Sequence, residues 1–246
     1  MKESMKDISS REHQQHALKV NKGYIMQKQE MDKSFERIIT PYIQGKRLKI
    51  LDACCGMGHI IFLLNQICPD SEFLGIDVQG FLLDEGRRLA GKNKKINFKN
   101  MDVYRLHEYF DKEFDISISW KTISFLDHYE DMIKTLFRVT KSHIFLSSMF
   151  YDGELDFQTR VLDTGSGKDE RTFINYYNVY SWPCFQRFCL NKGARLVEGY
   201  DFKIGIDLPR QDTDKMGTFT KRLDNGERIQ ISGAVIMSWK IIRIDL

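Results

Sequence analysis

Three aspartates, Asp52, Asp77 and Asp102, stand 25 residues apart, and each closes a short apolar run: LKILD, EFLGID and INFKNMD. A carboxylate at the end of a strand-length segment, repeated with a helix-length stretch in between, is the signature of successive βα units. The spacing predicts strands over Leu48 to Asp52, Glu72 to Asp77 and Lys95 to Met101. Helices are expected over Gly58 to Cys68, ended by Pro69, and over Phe81 to Ala90. Such units lay their strands in parallel and bring the carboxyl ends to one edge, where open α/β sheets bind their ligands. The three acids are therefore expected to face one crevice.

The alternation continues with a fourth strand at Phe114 to Trp120 (FDISISW), a helix around His128 to Val139, and a fifth strand at His143 to Met149. Ahead of it, Ser10 to Ile43 reads as helices broken near Gly23 and stopped by Pro41. Phe35, Ile38, Ile39 and Tyr42 are spaced there to cover an apolar surface. Behind it, Tyr151 to Tyr180 is long, aromatic and irregular, which predicts a lid. Ser181, Trp182 and Pro183 open a helix to about Lys192 that Gly193 ends, and Arg195 to Ile204 alternates as a strand. Phe219 to Leu223 and Glu227 to Ile231 form a hairpin whose Asn225-Gly226 pair is expected to supply the positive φ angles.

Basic and acidic residues number 37 and 34, a net charge of +3. That balance lacks the electrostatic footprint of a nucleic-acid binder. Met1 to Ser10 has no apolar core for a signal peptide, and no run approaches the roughly 20 apolar residues that span a bilayer. A cytoplasmic protein is expected, with neither nucleic acid nor membrane as partner. The cysteines at 54, 55, 68, 184 and 189 make no C-x-x-C pair and no zinc spacing, so they read as packing residues and no metal is expected.

The turn after the first strand, LDACCGMG, places Gly56 and Gly58 ahead of a helix N-terminus, where backbone N–H groups and the helix dipole meet a ligand. A nicotinamide-binding turn would read G-x-G-x-x-G. Here Cys54, Gly56 and His59 fill those places, and only the middle glycine matches.

LDACCGMG, GIDVQ and NMDVYRL together resemble the class I S-adenosylmethionine-dependent methyltransferases, over Leu48 to Met149. The resemblance implies an α/β, Rossmann-like, seven-stranded and mostly parallel sheet, with an antiparallel C-terminal hairpin, helices on both faces and a helical N-terminal cap. The expected single domain divides into a cap (1–45), a cofactor-binding core (46–150), an acceptor lid (151–180) and a C-terminal helix with hairpin (181–246). The implied cofactor is S-adenosylmethionine, with S-adenosylhomocysteine as product. Asp52, Cys54, Gly56 and Gly58 would surround its methionine part, Asp77 and Val78 its ribose, Asp102 and Val103 its adenine, with Trp120 nearby. Cys54 stands where the family often has glycine.

Methyl transfer from a sulfonium is an in-line displacement, so the protein chiefly aligns the acceptor and excludes water. Candidates near the methyl are Trp120, Lys121, His128, Tyr151, Tyr176, Tyr177, Asn178 and Tyr180. His128 and Tyr177 are expected to act in catalysis, and Tyr151, Arg171, Tyr176, Asn178 and Tyr180 to hold the acceptor. The segments DGELDFQTRVLDTGSGKDERTFINYYNVYSW and NGERIQISGAVIMSWKIIRI also resemble methyltransferases of bacterial surface-polysaccharide and sugar-modification clusters. This second resemblance implies O- or N-methylation of a sugar, a nucleotide-linked sugar, or a phosphorylated or phosphoramidate metabolite, with Arg160, Lys168 and Arg171 facing a phosphate.

Two other readings stand beside this one. A methyltransferase acting on protein or RNA would show a basic tract, or an Asn/Asp-Pro-Pro-aromatic signature in place of SWKTIS (Ser119 to Ser124). A non-catalytic S-adenosylmethionine-binding protein would tolerate loss of the acids at 52, 77 and 102, and all three are present. The expected partner is a small-molecule acceptor, and the expected assembly a monomer or homodimer.

Overall fold

A computed structural model describes residues 11–108, 111–164, 172–210 and 217–246. Two helices, α1 (Arg11–Met26) and α2 (Glu30–Ile43), precede a βα series: β1 (Lys49–Ala53), α3 (His59–Ile67), β2 (Glu72–Asp77), α4 (Gly80–Ala90), β3 (Ile96–Asn100), β4 (Phe114–Ser119), α5 (Glu130–Val139) and β5 (Thr140–Tyr151). An arm follows, made of β6 (Arg160–Asp163), β7 (Thr172–Tyr176) and β8 (Tyr180–Ser181). The chain then runs through α6 (Trp182–Asn191), β9 (Leu196–Asp201), β10 (Thr218–Arg222), β11 (Arg228–Ser232), β12 (Val235–Ile236) and β13 (Trp239–Asp245).

The main sheet has the order β3-β2-β1-β4-β5-β13-β9, with β8 paired to the end of β5. β1 to β5 are mutually parallel, and β13 runs antiparallel to both of its neighbours. Side chains alternate across the pleat. Ile50 belongs to the core under α2 and α3, while Leu51 joins the opposite core with α5 and α6. Both faces are thus covered, as the apolar strand sequences require.

Three expectations change in detail. Gly23 lies inside α1, and the break falls at 27–29, where the Gln29 N–H donates to Asp32 Oδ2 (3.1 Å) and opens α2. Pro41 does not stop α2. It sits in the last turn, and the Gln44 N–H closes the helix on the Thr40 carbonyl (2.9 Å). The 218–232 hairpin forms, but in a separate sheet of order β10-β11-β12, and β13 supplies the antiparallel strand of the main sheet. Within that hairpin only Gly226 takes a positive φ, +83°. Its N–H donates to the Leu223 carbonyl (2.9 Å), so the connection is longer than a two-residue Asn-Gly turn. The segment expected to be a lid contains the β6–β7 antiparallel arm. Among the described residues no helix is long and apolar enough to cross a membrane.

Candidate active site

The turn between β1 and α3 needs left-handed backbone at three places: Cys54 (φ +62°), Gly56 (φ +55°) and Gly58 (φ +85°). Gly58 is also irreplaceable on spatial grounds, because a Cβ there would stand 2.7 Å from the Phe98 ring. Cys54 carries strain of about 1–3 kcal/mol that a glycine would not. Cys55 is buried, with its sulfur against Gly75, where an added Cβ would come within 2.8 Å of it. Burial pushes both thiols well above their ordinary pKa, and the Asp77 and Asp52 carboxylates add to the shift. Protonated thiols of this kind are poor nucleophiles and poor ligands. Among the described residues, no group of three or more His, Cys, Asp or Glu is arranged to hold a metal.

The three acids meet at this turn. Asp77 accepts from the Gly56 N–H through Oδ2 (2.8 Å) and from the Gln79 N–H through Oδ1 (2.9 Å). Burial raises its pKa against the pull of these N–H donors. Asn100 donates to the carbonyls of Asp77 (3.1 Å) and Val78 (2.9 Å) and fixes the end of β2. Asp102 Oδ1 accepts from the Tyr104 N–H (3.0 Å) and opens the 3₁₀ turn Val103–Glu108, in which Val103 is buried. Asp52 is 2% exposed, and its Oδ1 has no hydrogen-bond partner among the described residues. Burial, and then the charge of Asp77, holds its pKa well above the carboxylate range.

The N-terminal helices close over this turn and bring further polar groups. Asn21 Oδ1 on α1 lies 2.9 Å from where a Gly56 Cβ would be, and Lys22 pairs with Glu85 of α4 (2.9 Å). On α2, Asp32 is 2% exposed. Its Oδ1 accepts from the Trp120 indole N–H (3.1 Å) and stands 3.7 Å from His59 Nε2. Burial pushes the Asp32 carboxyl up, but His59, Lys121 and the Gln29 N–H outweigh it, so its pKa falls below the ordinary value. The Tyr24 ring lies 5.7 Å from the His59 ring, and the Lys121 ammonium 5.5 Å from the centroid of Tyr24. Sequence reasoning missed Tyr24, Asp32 and His59. Asp32 left a signal: it lies three and seven residues before Phe35 and Ile39, an acid on the buried side of an apolar helix.

The expected acceptor residues scatter. Trp120 is buried under α2, with its ring 4.4 Å from Phe35. His128 is about one-third exposed near α5 (side-chain exposure 32%), with Asp127 at 3.5 Å, Asp131 at 3.8 Å and the Tyr104 ring at 6.5 Å. Asn178 and Tyr180 are buried, and both donate to the Leu126 carbonyl (2.8 and 2.9 Å), which ties the arm to the segment after β4. Tyr151 is exposed against Phe157, and Tyr176 is buried at the end of β7. Tyr177 packs edge-on against Phe125 at 5.1 Å, and its electrostatic neighbour is Tyr24. Tyr177, expected to act in catalysis with His128, lies beside Tyr24 in the cluster under the cap. Lys168 and Arg171 lie outside the described residues.

The sheet order and the three acids around a glycine turn agree with the one comparison that reports a family: residues 50–143 match the family model described as a methyltransferase domain. The match ends within β5, before the arm. Solved structures to which the chain is similar include a SAM-dependent methyltransferase from Methanosarcina mazei (17% identity, 85% of this chain and 97% of that one, TM-score 0.58). Another is an S-adenosylmethionine-dependent methyltransferase from Mesorhizobium loti (14%, 85% and 95%, 0.55). A third is the 1,6-didemethyltoxoflavin-N1-methyltransferase of Burkholderia thailandensis, with bound 1,6-didemethyltoxoflavin and S-adenosylhomocysteine (12%, 98% and 92%, 0.52). At these identities the likeness is one of fold. No match was found among curated proteins.

The residues present suit S-adenosylmethionine. The buried Asp52 Oδ1 lacks a donor, and the α-ammonium of the methionine part is a cationic donor. Asp77 is an acceptor held in place by backbone N–H groups of the turn, and its two oxygens offer about four lone-pair sites, more than those donors use, so it can accept from a ribose hydroxyl.

Proposed function

We propose that this methyltransferase moves the methyl group of S-adenosylmethionine to an oxygen or nitrogen of a small-molecule acceptor. Asp52, Gly56 and Gly58 hold the methionine part, Asp77 and Val78 the ribose, and Asp102 and Val103 the adenine. The observation that carries the reading is the convergence of the three acids on the β1–α3 turn, with a buried Asp52 oxygen left unpaired. The acceptor enters from the side of Lys121. There, beyond the ends of β4, β5 and β13, a cleft opens between α2 and the segment after β9. A sugar or phosphorylated acceptor rests on the sequence resemblance alone. The walls of the cleft include Met31, Phe202, Ile204 and Trp239, which suits an acceptor with an apolar body.

Calorimetric titration with S-adenosylmethionine tests the cofactor site. Asp77→Ala should weaken binding by about 1.5–3 kcal/mol, the range for hydrogen bonds to a charged group. Because Asp77 also holds the Gly56 N–H, Asp77→Asn is the sharper variant: it keeps one acceptor oxygen and should lose less. Unchanged affinity in both folded variants would remove Asp77 from the site.

A further inference from the structure

Lys121 follows β4 with φ +54°, a left-handed conformation that lysine rarely adopts. The surroundings impose it. The Lys121 N–H donates to Ser147 Oγ of β5 (2.8 Å), and the preceding Trp120 is anchored by its indole N–H to Asp32 (3.1 Å). Backbone strain held in place at the carboxyl edge of a sheet aims a side chain at a site. Here Lys121 lines the cleft with Gln29, Glu30, Met31, Phe202 and Trp239, and its amine lies 5.5 Å from the centroid of the Tyr24 ring.

The charged and titratable groups around Lys121 come from four elements. Tyr24 of α1 presents its ring at 5.5 Å. From α2 come Asp32 and Glu30, and Glu30 is already paired with Lys33 (2.5 Å). His59 of α3 leans on Asp32, and Tyr177 lies after β7. Among the described residues the Lys121 amine has no hydrogen-bond or ion-pair partner within bonding distance. Burial pushes its pKa down while Asp32 acts the other way. An amine so placed, with no partner of its own among the described residues, is free to meet a hydroxyl that enters the cleft and, once protonated, to hold the resulting anion.

We propose that Lys121 is the catalytic residue that takes the acceptor's proton, and that the acceptor is a small molecule with an apolar body and one weakly acidic hydroxyl at the Lys121 end of the cleft. This rests on the methyltransferase reading above. In the step, the acceptor O–H bond breaks and its proton passes to the lone pair of Lys121 Nζ. The oxygen's electron pair forms the new O–C bond to the methyl group, and the C–S bond breaks with its pair returning to sulfur. The sulfonium charge is thereby replaced by the Lys121 ammonium, which Asp32 stabilises until the proton leaves to solvent.

4-Nitrophenol is a suitable probe, because its phenolate has its own absorption band. It is titrated into the full chain saturated with S-adenosylhomocysteine, at a pH where the free phenol is mostly protonated. The bound probe should show a phenolate-to-phenol ratio at least about tenfold above that of the free probe, equivalent to a full unit of pKa shift. Lys121→Met should return the ratio to the free value. Lys121→Asn, which tolerates the left-handed backbone, should do the same and guards against a folding defect. Absence of binding, an unshifted ratio in the wild type, or a shift that survives both variants would overturn the proposal. Calorimetry with S-adenosylhomocysteine on the same samples reports the cofactor reading separately and shows that each variant is folded.

Discussion

At the scale of single residues, Asp52 sets stability against binding. Its folded-state pKa is raised, so the native protein binds this proton more tightly than the unfolded chain does. The stabilisation is complete below the unfolded carboxylate value and is lost as pH climbs through the folded one. At neutral pH the residue is therefore a burden on the unliganded fold. Asp52→Asn should raise the stability of the unliganded protein by about 1–3 kcal/mol, the range for a buried group left unsatisfied, and should weaken S-adenosylmethionine. Urea unfolding with and without the cofactor reads both effects, and a less stable unliganded variant would show that Asp52 has a partner in the native state. Cys54 belongs to the same argument. Its left-handed φ shows why glycine is common at that place, and the sequence showed the departure without the strain. Cys54→Gly should be neutral to stabilising by up to about 1 kcal/mol, whereas Cys54→Val should cost about 1–3 kcal/mol, because a β-branched side chain fits that φ poorly. Equal thermal stabilities for the two variants would count against this account.

At the scale of elements, the βα series was legible because each strand is a short apolar run closed by an acid or a turn, and β2 matches its expected bounds of Glu72 to Asp77. The cap was legible in part. Phe35 and Ile39 are fully buried as their spacing requires, and Ile38 and Tyr42 pack at the margin of the same core. Hidden from the sequence was what α1 and α2 carry to the site, because Tyr24, Asp32, His59 and Lys121 come together only across four separate elements. The same holds for the arm. Asn178 and Tyr180 look like polar pocket residues until their partner, the Leu126 carbonyl more than 50 positions earlier, is known. Phe35 links the two roles of α2, since it fills the core and packs at a tilt against the Trp120 ring. Phe35→Ala should cost about 3–5 kcal/mol. It should also loosen the Trp120–Asp32 bond, visible as a change in tryptophan fluorescence ahead of global unfolding.

For the whole molecule, the order β3-β2-β1-β4-β5-β13-β9 places three acids on one half of the sheet's carboxyl edge and the cleft at Lys121 on the other, so the transfer proposed above would cross β1 and β4. The strand that joins the halves to β9 is β13, with Ile241, Ile242 and Ile244 all buried. Its place between β5 and β9 also governs how the chain comes together as it is made. β9 leaves the ribosome well before its neighbour exists, and until Trp239 to Asp245 emerge, β5 and β9 each present a bare row of backbone N–H and C=O groups. A nascent chain halted in that interval holds two unpaired, partly apolar edges within reach of other chains. Pausing translation between β9 and β13 should therefore increase aggregation and chaperone dependence far more than a pause of equal length before β6.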